Sequence, residues 1–65
     1  INQEDATAFF NLGAALANKG LLYEAIEVFE NLINYAPPQD TGHIEKAKDI
    51  IKQLREKLIS GQGQT

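Results

Sequence analysis

Apolar residues recur along the chain in three periodic segments divided by two breaks. Lys19-Gly20 closes the first segment and Pro37-Pro38-Gln39-Asp40 closes the second. The third runs out into Ser60-Gly61-Gln62-Gly63-Gln64-Thr65. Glycine and proline pairs of this kind punctuate helices. No segment alternates with period two between hairpin turns, so no strands are expected.

The first helix is predicted over Glu4 to Lys19. At about 100° per residue, Ala6, Phe9, Leu12, Gly13 and Leu16 share one arc, with Phe10, Ala14 and Ala17 as a shoulder beside it. Phe9 and Phe10 cannot both occupy the centre of one stripe. On this reading Phe9 is the core residue and Phe10 faces a second, less buried side.

The second helix is predicted over Leu22 to Tyr35. One apolar row is Leu22, Ile26, Phe29 and Ile33; another is Leu21, Ala25, Val28, Leu32 and Tyr35. Together they span about half of the circumference, wider than the ~100° stripe of an ordinary surface helix. Such a helix is expected to be packed from two sides. Glu24, Glu27, Glu30, Asn31 and Asn34 fill the remaining face, most simply a solvated one.

The third helix is predicted over Thr41 to Ile59, after a proline that no helix interior accommodates. Asp40 or Thr41 is the expected N-cap. Ile44, Ala47, Ile51, Leu54 and Leu58 form a narrow seam flanked by Ile50 and His43. Glu45–Lys48, Asp49–Lys52 and Lys52–Glu56 are spaced to pair on the outer faces, each worth about 0.2–0.5 kcal/mol. This is the pattern of a closing helix with a charged back. The Gly-Gln tail, residues 60–65, has nothing apolar to anchor it and is expected to be disordered.

Composition narrows the classes. A chain of 65 residues is one domain at most, and a domain this small buries only about 60% of its unfolded surface. Disulfides, a metal or a partner surface usually compensate. The chain has no cysteine and one histidine, so neither a disulfide nor a structural zinc site is expected. Tight helix packing, self-association or support from a larger parent chain remain. Because it begins at Ile1 rather than Met, the sequence reads as a piece of a longer protein. The net charge of −3 is uneven: −4 over residues 1–39 and +1 over residues 40–65. An acidic body with one mildly basic helix argues against nucleic acid, which needs a clear positive footprint. No apolar run reaches the ~20 residues of a membrane span, and these residues hold no basic-then-apolar pattern of the kind that marks a signal sequence. A soluble chain is expected, with no membrane partner; its compartment is open, the cytoplasm being favoured.

Residues 6–39 resemble a single tetratricopeptide repeat. That unit is a helix–turn–helix of about 34 residues with an aromatic, Leu-Gly, Tyr, then Ala, Phe and Pro at fixed offsets. Phe9 stands where the family favours Trp, and Leu12-Gly13 matches outright. Leu16 replaces the Tyr, Ala25 and Phe29 match, and Pro37 closes the unit. Gly20 at the turn and Glu24-Ala25-Ile26-Glu27 are also typical. The resemblance implies an all-α fold: an antiparallel helix-turn-helix repeat with a third, capping helix over residues 41–59, the whole domain spanning 1–59. Gly13 then marks a close helix crossing, with Ala25 as the expected opposing small residue. The third segment departs from the pattern, with His43 at the aromatic position and Lys46-Ala47 in place of Leu-Gly. It looks like the solvating helix that ends such arrays.

In this family the first helices of each repeat line a groove that binds peptide segments. By resemblance the partner-binding positions are Thr7, Phe10, Ala14, Ala17 and Asn18, with Asn11 at the edge. Phe10 faces either a ligand or another copy of the chain. One subfamily grips a C-terminal carboxylate with lysine, arginine and asparagine. Asn11 matches one such asparagine, but Phe10 and Ala14 occupy sites that elsewhere carry lysine and asparagine. An apolar or mixed groove is therefore expected. The expected function is a protein-interaction module for a protein or peptide partner. The alternative is structural self-assembly as a homo-oligomer, the first helix stacking on or swapping with another copy. No catalytic residues, cofactor or metal are expected. His43 reads as a packing or helix-start residue, without a conspicuous Ser-His-Asp set around it, and Gly61-x-Gly63 lacks the strand and helix of a phosphate loop.

Overall fold

Short breaks between amphipathic segments leave consecutive helices little choice but to fold back on one another. The computed structural model describes residues 3–63, with the side chains of residues 5–61. It contains α1 (Gln3–Asn18), α2 (Leu22–Tyr35) and α3 (Thr41–Gly63). Among the described residues there is no strand. The fold is an all-α helix-turn-helix extended by a third helix, with α2 packed against both neighbours.

Each break has a local cause. Gly20 takes a φ of 84°, a left-handed conformation that costs a glycine nothing. The amide of Gly20 donates to Ala17 O and that of Leu21 to Leu16 O, both at 3.0 Å. These are the paired bonds of a Schellman ending, and they satisfy carbonyls the helix would otherwise orphan. At the second break Ala36 is extended, as a residue before proline prefers. The Asp40 amide donates to Pro37 O at 2.9 Å. Asp40 then caps α3, with its Oδ1 accepting the His43 amide at 3.4 Å.

The core is built on α2. Ala25, Phe29 and Leu32 are completely buried, and Ile26 nearly so. α3 adds Ala47, Ile51 and Leu54 from its seam, with Ile50 and Leu58 half-buried against them. α1 contributes its smallest residues at the deepest positions, Ala6 and Gly13. A Cβ built on Gly13 would lie 2.7 Å from Phe29 Cζ and 2.9 Å from both Cε atoms. At Gly13 the nearest group across the crossing is therefore the Phe29 ring, where the sequence pointed to Ala25, itself fully buried in the same core.

The buried arc of α1 is correspondingly rotated. Phe9 and Phe10 straddle its centre, both half-buried and both packed on the core. Leu12, placed in the core arc by its spacing, is 49% exposed. On α2, Leu21 and Tyr35 belong to an apolar row but lie on the surface, Tyr35 at 64% exposure. The expected surface ion pairs along α3 do not close to bonding distance among the described residues. Instead Arg55 reaches across to Glu30 on α2 at 3.0 Å. Both side chains are well exposed, so the pair is worth at most about 1 kcal/mol.

α3 also continues through residues 60–63, where a disordered tail was expected. Gly61 weakens a helix by up to about 1 kcal/mol relative to alanine but does not stop one already propagating. Gln64 and Thr65, the remainder of that expected tail, lie outside the described residues.

Candidate partner-binding surface

The six positions assigned by resemblance all lie on α1, on the side that turns from α2 towards the start of α3. Their exposure grades across the helix. Ala17, Phe10 and Ala14 are half-buried, and Thr7, Asn18 and Asn11 are exposed. The result is an apolar floor bordered by one hydroxyl and two carboxamides. An asparagine side chain offers both a donor and an acceptor, the pair a peptide backbone requires.

Phe10 is not simply turned outward. Its ring meets Phe29 edge-on, with centroids 5.4 Å apart and planes at 72°. It meets His43 in the same manner at 5.9 Å and 60°. Edge-to-face pairs add about 0.5–1.5 kcal/mol beyond the area they bury. Phe10 thus joins all three helices, and only part of its surface is available to another molecule. Phe9, expected in the core, packs on it from one side and with its other side borders a shallow surface recess with Asp5, Ala8 and Leu12.

His43 is held from two sides. Its Nδ1–H donates to the Asp40 carboxylate, 2.8 Å from Oδ2 and 2.9 Å from Oδ1. On the far side, Thr7 Oγ1 lies 3.4 Å from Nε2. Asp40 is therefore engaged twice, as helix cap and as the anchor of the imidazole. This series of acid, imidazole and hydroxyl was invisible in the sequence because Thr7 and His43 are 36 positions apart. Its chemistry is limited by its setting. Thr7 lies within α1, where the amides of the following residues are bonded to carbonyls one turn back and are unavailable to a developing oxyanion. The geometry ties the start of α3 to α1 beside the Phe10 floor.

A second groove, between α2 and α3, is lined by Glu27, Glu30, Asn31, Lys48, Ile51 and Arg55. Its carboxylates face basic residues of the same chain, so it presents no field of one sign. Among the described residues no three His, Asp or Glu side chains gather to hold a metal ion. No described helix is long and apolar enough to cross a membrane. Comparison with protein-family models, curated proteins and solved structures gives no match.

Proposed function

We propose that the chain is a protein-interaction module of tetratricopeptide type, one helix pair closed by a solvating third helix. It docks an extended peptide segment of a partner protein along α1 and carries no chemistry of its own. The observation behind this reading is the graded strip on α1: a half-buried floor of Phe10, Ala14 and Ala17 beside exposed Thr7, Asn11 and Asn18. The small alanines leave room for a peptide side chain, and the asparagines can bond its backbone. The helix crossing at Gly13 and Phe29 supports the repeat assignment, because both residues match that pattern and touch. Phe10→Ala is a poor test, since that ring also packs on Phe29 and His43.

Peptides selected by display against this chain provide the probe. Ala14→Arg fills the floor and Asn11→Ala removes a rim amide, both away from the packed core. We expect Ala14→Arg to weaken binding of a selected peptide at least about tenfold, as a clash at an interface centre does. Asn11→Ala should cost about threefold to tenfold, the worth of one hydrogen bond. Helical content should not change in either variant. Failure to enrich any peptide, or binding indifferent to both substitutions, would overturn the reading.

A further inference from the structure

On the side of α1 beyond Phe9, away from the peptide strip, lies a second pattern. Asp5, Ala8, Leu12 and Ala15 on the helix and Lys19, the first residue after its end, succeed one another at spacings of 3, 4, 3 and 4, and all five are exposed. That is the heptad seam along which two helices supercoil. Half-buried Phe9 and Leu16 flank it. The recess bounded by Asp5, Ala8, Phe9 and Leu12 consists of residues i, i+3, i+4 and i+7. Those four positions form the hole that receives one side chain of a facing helix.

We infer that this seam pairs antiparallel with the same seam of a second copy, about a two-fold axis beside Leu12. The seam is complementary to itself in charge and in size. Reversed and laid on itself, it brings Asp5 of each copy to Lys19 of the other. Ala8 comes opposite Ala15, each match lying within about one residue's rise of 1.5 Å. Parallel pairing would set acid on acid and base on base. The alanines on either side of Leu12 let the helix axes approach to about 8 Å, the close end of helix packing. The two Leu12 side chains, each about half exposed in the single chain, then cover one another. A single helix face buries less than the ~1,000 Å² of a stable interface, so the dimer is weak and transient. It uses a face distinct from the peptide strip, so either proposal can fail without the other.

Sedimentation velocity from about 10 μM to about 1 mM spans the range in which an interface of this size associates. The unaltered chain should move from monomer to dimer across that range. Leu12→Ser should stay monomeric throughout with unchanged helical content, because Leu12 is outside the buried core. Asp5→Lys and Lys19→Asp each create two like-charge contacts and should weaken association roughly tenfold. Mixing these two variants restores opposite charges at both ends, so a one-to-one heterodimer should form at the strength of the unaltered chain. Recovery on mixing separates the seam from any loss of helix caused by either substitution alone. A monomer at 1 mM, association that survives Leu12→Ser, or charge variants that dimerise like the unaltered chain would each overturn the inference.

Discussion

Gly13 lies in the middle of α1, where alanine would ordinarily stabilise a helix by up to about 1 kcal/mol. Here the added methyl would press on a fully buried aromatic ring. Overpacking of this kind costs about 1–3 kcal/mol, enough to cancel the propensity gain and reverse the sign. Gly13→Ala should therefore lower the thermal midpoint, by about 5 °C for a net loss near 1 kcal/mol in a domain this small. Gly13→Leu should abolish the cooperative transition. Melting followed by circular dichroism checks both, and an Ala variant more stable than the parent would remove the packing argument. The need for a glycine was legible in the sequence; the group opposite it was not. Reasoning from size paired small with small, whereas the structure lays the edge of a large flat ring against the bare backbone. The same bias displaced the core arc of α1. The arc was read around Phe9, but its buried members are Ala6 and Gly13, and the two phenylalanines fall on either side of them.

Helix boundaries and the α3 seam were readable because their determinants are local. Gly20 supplies the left-handed residue and Pro37-Pro38 forbids continuation, so α2 runs over the span predicted for it. Every seam residue from Ile44 to Leu58 is buried or half-buried, since one helix facing another needs only the 3-4 repeat. The far end of α3 was not legible in the sequence, because absence of apolar residues signals absence of packing, not absence of helix. A direct contrast follows for this element. Leu54 is buried in the core cluster while Ile59, five residues on, is 68% exposed. Leu54→Ala should cost about 2–5 kcal/mol. Ile59→Ala should stay within about 0.5 kcal/mol, as surface changes do. Denaturant titration of the two variants measures the difference. A large loss at Ile59 would mean that the exposed end of α3 is covered in solution.

At the scale of the molecule, one side chain is shared by all the packing. Phe29 is fully buried, touches Phe10 at 5.4 Å and lies against Gly13, and belongs to the cluster that includes Ala47, Ile51 and Leu54. No disulfide reinforces the chain, and the described residues show no buried polar network. Stability of about 0.05–0.15 kcal/mol per residue corresponds to only about 3–10 kcal/mol for this domain. Truncating a buried phenylalanine to alanine removes about 3–5 kcal/mol. The two quantities overlap, so Phe29→Ala should leave the chain largely unfolded at 25 °C, with all three helices lost together. The loss cannot be confined to α2, because α1 and α3 both rest on it and an isolated helix of 14–23 residues is marginal in water. Far-ultraviolet circular dichroism and amide exchange distinguish the outcomes. If α3 kept protected amides in Phe29→Ala, it would be folding on its own, and the three helices would not be one cooperative unit. Phe29→Leu preserves most of the apolar volume and should retain the fold with a lower midpoint. That comparison isolates loss of packing at the Gly13 crossing from loss of the chain's ability to fold.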